Sequence, residues 1–147
     1  MVIGAVYNIR MRTLFVCTGN TCRSPMAERM ARHFYPGHEW ESAGVMPQGG
    51  IHPMSARVLD DHGCDATGFE GRNVADLDLG AFDQVVLIGE TAQACSPDPP
   101  AGVEVHHWDV PDPYEVRGSE KVILAAYEES WADLKHRIAK LVAEQEG

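Results

Sequence analysis

The sequence predicts a small doubly wound α/β domain: a four-stranded parallel sheet with helices on both faces. Three observations carry that expectation. Short apolar runs rich in strand formers alternate with stretches of helical character, the pattern of right-handed crossovers between parallel strands. One run, Asp83-Gln84-Val85-Val86-Leu87-Ile88, is almost continuously apolar, as a strand buried on both faces must be. Near the end of the chain Ile123, Tyr127, Trp131, Leu134, Ile138, Leu141 and Val142 recur at helical spacing and form one apolar stripe.

Thr13-Leu14-Phe15-Val16 is the first strand, ending at Cys17 and a Gly-Asn turn. Ser24-Pro25-Met26-Ala27-Glu28 opens a helix, because Pro25 suits a first helical turn whose N–H groups are unpaired anyway. Tyr35-Pro36-Gly37 ends that helix after about Phe34. Trp40 to Ala43 is a second strand closed by Gly44, and Pro53 to His62 a second helix with Gly63 just past its end. Val103 to Trp108 is a weaker fourth strand, and the last helix starts near Ser119. Residues 13–147 form a single catalytic domain in this reading, with residues 1–12 an N-terminal extension without periodicity.

At 147 residues the chain can bury one core without disulfides or metal. Its formal charge of -10, from 22 acidic and 12 basic residues, argues against broad binding to nucleic acid or to anionic membranes. The first apolar stretch runs into Arg10 and Arg12 rather than a cleavage site, and no window approaches the roughly 20 apolar residues of a membrane span. The four cysteines, Cys17, Cys22, Cys64 and Cys95, make no Cys-x-x-Cys pair and no zinc pattern. Free thiols in the cytoplasm, with no cofactor and no metal, are the expectation.

Chemistry concentrates in the loop Cys17-Thr18-Gly19-Asn20-Thr21-Cys22-Arg23-Ser24. It lies beyond the carboxyl end of the first strand, where doubly wound folds bind ligands, and it runs into a helix N-terminus. Backbone N–H groups and the helix dipole there favour both a bound oxyanion and a Cys17 thiolate. Arg23 can fold back over the loop and offer a planar two-pronged donor. Gly19 permits backbone conformations that other residues resist, and Asn20 tolerates left-handed geometry while its side chain ties the loop. Ser24 is placed to hydrogen-bond the Cys17 sulfur.

Cys17-Thr-Gly-Asn-Thr-Cys-Arg-Ser-Pro25 resembles the signature loop of the low-molecular-weight protein tyrosine phosphatases and of the related arsenate reductases. The similarity runs from Thr13 to about Ile138 and includes Ser42-Ala43-Gly44 and Asp112-Pro113-Tyr114. The resemblance implies phosphomonoester hydrolysis in two steps. Cys17 attacks phosphorus to form a cysteinyl-phosphate, Arg23 and the loop amides hold the equatorial oxygens, and Asp112 protonates the leaving oxygen and then activates water. It also implies that Asn20 and Ser42 hold the loop in shape, and it places Tyr114 at the cleft edge. The substrate is then a phosphorylated protein or a small phosphomonoester.

The alternative the resemblance leaves open is an arsenate reductase that uses the same Cys17 with a thiol or thioredoxin-type reductant. The segment Val45 to Pro53 lacks the aromatic that tyrosine phosphatases often place beside the substrate ring, and Cys95 lies near where the reductases carry the last cysteine of a disulfide relay. Against it, the intermediate relay cysteine is replaced by Gly89, and Pro25 follows the phosphatase pattern. A phosphoanion-binding module without turnover is the third reading. Cys22 and Cys95 are the redox candidates, Cys22 as a thiol that captures an oxidised Cys17. Arg72 adds positive charge near the mouth in this reading.

Overall fold

Four parallel strands lie in the order β2-β1-β3-β4, so the chain steps outward from β1 to one edge, returns beside it, and continues to the other edge. The structure is a computed structural model that describes residues 10–146, and it has the predicted α/β architecture. The strands are β1 (Arg12–Cys17), β2 (Glu39–Gly44), β3 (Gln84–Ile88) and β4 (Glu104–Trp108). The helices are α1 (Arg23–Phe34), α2 (Pro53–Asp61), α3 (Glu90–Cys95) and α4 (Glu120–Glu146).

Side chains of β1 and β3 alternate between two separate cores, as the pleat requires. Phe15, Val86 and Ile88 point to the face covered by α1, α2 and α4, where Phe15 stacks on Trp40 at 5.7 Å. On that face α4 buries Tyr127, Trp131, Leu134, Ile138, Leu141 and Val142, the stripe read from its period. Leu14, Val16, Val85 and Leu87 point the other way, onto Val74, Leu79, Phe82 and Ala92. That second layer is thinner than expected. Among the described residues it contains only the six-residue α3 and two 3-10 turns, Val74–Asp76 and Leu79–Ala81.

The N-terminal boundary also shifts. Arg12, placed in the extension from sequence, opens β1, and Met11 joins the fold through bonds to His38 and Glu39. The rest of the expected extension, residues 1–9, lies outside the described residues. At the carboxyl ends of β1 and β3 the chain turns into α1 and α3, and this end of the sheet holds the site.

Candidate active site

Seven residues after Cys17, Ser24 sits in the first turn of α1 and brings its Oγ to 2.8 Å from the Cys17 sulfur. Asn20 Nδ2 donates to Ser24 Oγ at 2.8 Å and to Ser42 Oγ at 3.0 Å, and the Ser24 proton has two acceptors in reach, the sulfur and the Ala43 carbonyl at 3.4 Å. The Asn20 amide is fixed because its Oδ1 accepts the Arg72 backbone N–H at 3.0 Å. Ser42 in turn donates to the buried Glu28 carboxylate at 3.0 Å, whose other oxygen accepts from Arg29 at 2.9 Å. Asn20, Ser24 and Ser42 are therefore supports behind the loop.

Asn20 takes the left-handed conformation, with φ of 53°. Gly19, expected to need unusual backbone freedom, is not among the positive-φ residues, and a Cβ there would come to 3.0 Å of the Gln48 side chain. Space rather than torsion explains that glycine.

The loop turns its carbonyls outward onto the segment after β2. Val45, Met46, Gln48 and His52 donate their N–H groups to the carbonyls of Cys17, Thr18, Gly19 and Thr21 at 2.8 to 3.1 Å. Among the described residues, the N–H groups of Thr18 to Cys22 find no protein acceptor. At the start of α1, Cys22 caps without a side-chain bond and the first turn holds no acid. An oxyanion completes such a donor set.

Arg23 is buried, its Nη1 donating to Val110 O at 2.9 Å and its Nη2 lying 3.6 Å from Asp112 Oδ2. Asp112 Oδ1 accepts the Tyr114 N–H at 3.1 Å and so caps the 3-10 turn Pro113–Glu115. Its other oxygen, Oδ2, faces the Arg23 guanidinium. Cys17, Thr18, Gly19, Thr21, Cys22, Arg23, Asp112 and Tyr114 all border one cavity of about 550 Å³. Tyr114 stands at its exposed edge.

Two sequence expectations need correction. Arg72 does not border this cavity; its guanidinium pairs with Glu41 at 2.9 Å and with Ser42 O, and its contribution is the backbone bond to Asn20. The wall is also less bare than the segment after Gly44 suggested. His52 lines the cavity and meets Tyr114 edge to face at 5.6 Å between ring centroids. Its place just before the Pro53 helix gave no sign of the cavity.

Cys22 is buried, and its sulfur lies 3.4 Å from the Tyr127 hydroxyl; burial pushes its thiol up from the ordinary value. Cys95 is exposed at the end of α3 and does not line the cavity. Glu28 was missed entirely by the sequence reading, although a glutamate four residues after Ser24 shares its helix face. Among the described residues, no group of three or more His, Cys, Asp or Glu is placed to hold a metal, and no helix is long and apolar enough to cross a membrane.

A parallel α/β domain that sets a Cys-x5-Arg-Ser loop at the carboxyl end of its first strand defines a class of oxyanion-handling enzymes. The chain belongs to the low molecular weight phosphotyrosine protein phosphatase family, whose profile matches residues 12–146. It is 38% identical over 122 residues to an arsenate reductase of Bacillus subtilis, covering 80% of each chain. It is 41% identical over 70 residues to the low molecular weight protein-tyrosine-phosphatase PtpB of Staphylococcus aureus, covering 46% of this chain and 50% of that one. Among solved structures, an arsenate reductase from Archaeoglobus fulgidus superposes with a TM-score of 0.75 at 28% identity, covering 90% of this chain and 99% of that one. The family thus holds both chemistries, and its members act on phosphate or arsenate.

Proposed function

We propose that the chain is a phosphomonoester hydrolase that works through a cysteinyl-phosphate on Cys17. One observation carries the choice of branch. Gly89, matching the reductases' intermediate relay thiol, packs directly beneath the Arg23 guanidinium with φ of +90°, and a Cβ there would force that guanidinium to shift. Cys95, the other relay candidate, is exposed and away from the cavity. Hydrolysis needs neither.

In the first step the Cys17 thiolate attacks phosphorus, and Asp112, as the acid, gives a proton to the departing oxygen. Amides of the loop and the two prongs of Arg23 hold the three equatorial oxygens as charge builds on them. Ser24, already polarised by Asn20, donates to the sulfur and steadies it as the leaving group in the second step. There Asp112 takes a proton from water, which displaces the thiolate and releases phosphate. Free thiols fit work in the reducing cytoplasm.

A second reading rests on the Bacillus subtilis relative, which is named an arsenate reductase. Arsenate reduction that uses Cys17 with an external thiol or thioredoxin needs no residue at position 89. A paired assay decides. The reduced protein is expected to release p-nitrophenol from p-nitrophenyl phosphate and to yield no arsenite from arsenate with thioredoxin or small thiols. Arsenite formation without ester hydrolysis would reverse the assignment, and absence of both reactions would leave a phosphoanion-binding module.

Asp112 has its own test. Asp112→Asn is expected to slow alkyl phosphates, whose leaving oxygens need a proton, about a hundredfold. The loss on p-nitrophenyl phosphate should stay below roughly tenfold, because p-nitrophenolate leaves unaided. Equal losses on both would remove Asp112 from the acid role.

A further inference from the structure

Gly71 owes its identity to a close approach of two backbones. A Cβ on it would overlap the Gly49 carbonyl oxygen and come to 3.3 Å of the Gly49 carbonyl carbon. Torsion does not require this glycine, which is not among the positive-φ residues. Every other residue type brings that Cβ, and a backbone carbonyl cannot swing aside as a flexible side chain does.

The two sides of the contact are held unequally. Arg72, next to Gly71, donates its N–H to Asn20 Oδ1 at 3.0 Å and accepts the Gly44 N–H on its carbonyl at 2.9 Å. Its guanidinium is bonded as well, to Glu41 and to Ser42 O. Gly49 makes no backbone hydrogen bond among the described residues, so a side chain at position 71 displaces Gly49 rather than Arg72. The neighbours of Gly49, Gln48 and Gly50, border the same cavity as Cys17 and Arg23. Gln48 also donates its N–H to Gly19 O at 3.0 Å, so this short segment is clamped between the loop and Gly71.

We infer that Gly71 is a positioning residue. By letting the Gly49 peptide close on it, Gly71 sets the distance between the oxyanion cradle and the wall formed by Gln48, Gly50 and Ile51. That distance fixes the room for whatever group the bound oxyanion carries. The cradle itself lies outside its reach, because the Arg72 bonds keep Asn20 in place. This deepens the phosphatase reading and rests on it, since an ester carries such a group and free arsenate does not.

The test separates the wall from the cradle. Gly71→Ala, Gln48→Ala and the double variant are made in full-length Cys17→Ser protein, which binds without turnover, and dissociation constants are measured for phenyl phosphate and inorganic phosphate. Gly71→Ala should weaken phenyl phosphate about threefold to tenfold, as wall contacts loosen, and leave inorganic phosphate within about twofold. Gln48→Ala should weaken phenyl phosphate as well, and the double variant should lose no more than about twofold beyond Gly71→Ala, because the glycine acts through that wall. With Cys17 intact, Gly71→Ala should raise the KM for p-nitrophenyl phosphate by the same factor and hold kcat within about twofold, a split that lost stability alone does not produce. Unchanged phenyl phosphate affinity in Gly71→Ala overturns the assignment, as does an equal loss for both ligands or full additivity in the double variant. If Gly71→Ala does not fold, Gln48→Ala decides: unchanged phenyl phosphate affinity there overturns the role of the wall. Parent protein that fails to hydrolyse p-nitrophenyl phosphate would defeat the phosphatase reading alone, because the binding comparison stands without turnover.

Discussion

Cys17→Ser protein is expected to lose at least about 10⁴-fold in turnover of p-nitrophenyl phosphate while binding inorganic phosphate at least as tightly as the parent. Turnover falls because an alcohol at position 17 stays protonated at neutral pH, and no general base lies within the loop to take its proton. The groups next to Cys17 are the Ser24 hydroxyl, which is no base at neutral pH, and amides that only donate. Binding survives for a separate reason. The donor set for the oxyanion is the backbone of Thr18 to Cys22 together with Arg23, and none of it involves the sulfur. Removing a thiolate from beside a phosphate also removes a like-charge repulsion. Kinetics with p-nitrophenyl phosphate and calorimetric titration with phosphate measure the two quantities on the same sample. Retention of more than about one hundredth of the activity would mean that another group is the nucleophile; loss of phosphate binding would mean that the sulfur shapes the loop rather than attacks within it.

The legible parts of this molecule are those whose physics is local. β1 and β3 announce themselves as buried strands because both of their faces meet apolar layers, so Leu14-Phe15-Val16 and Val85-Val86-Leu87-Ile88 read as unbroken runs. α4 is legible because a long helix on a sheet repeats its apolar stripe over many turns. The loop is legible because Cys17, Asn20, Arg23 and Ser24 must be close in sequence to share one strand-to-helix turn.

What was not legible depends on distant partners. Glu28 reads as an ordinary surface glutamate of an amphipathic helix until Ser42, fourteen residues on, is seen to donate to it. His52 carries no sign of the site until Tyr114 and Tyr127, from the far half of the chain, pack against its ring. Arg72 carried a legible charge but an illegible address, since Glu41 on β2 draws its side chain away from the mouth and only its backbone serves the site. The short α3 and the 3-10 turns leave weak periodic signals, although Asn73, Asp78 and Asp112 cap the three turns in the same manner.

Gly89→Ala is expected to cost about 10²- to 10³-fold in kcat, although residue 89 touches no ligand. Its φ of +90° and ψ of 166° lie in a region that side chains resist, at a cost of about 1–3 kcal/mol. Strain alone would lower the melting temperature and leave chemistry alone. The larger effect comes from what a Cβ meets there, since the nearest atoms all belong to the Arg23 guanidinium, with Nη1 in direct conflict. Arg23 cannot yield freely, because Val110 O and Asp112 hold the same group from other directions. The guanidinium must leave one of these partners, and with it the orientation that presents two prongs to an equatorial pair of oxygens. Gly102→Ala is the matched control: φ is +98° there, and a Cβ would meet nothing within 4 Å. It should lose comparable thermal stability and keep its kcat within about twofold, so that the difference between the two variants isolates the displacement of Arg23 from backbone strain. Activity of Gly89→Ala within tenfold of the parent would show that Arg23 has slack beneath it. The same obstacle governs Gly89→Cys, whose added thiol enters through that Cβ: in this chain a cysteine at position 89 is expected to displace the Arg23 guanidinium, and the glycine leaves it the space that Val110 O and Asp112 fix it in.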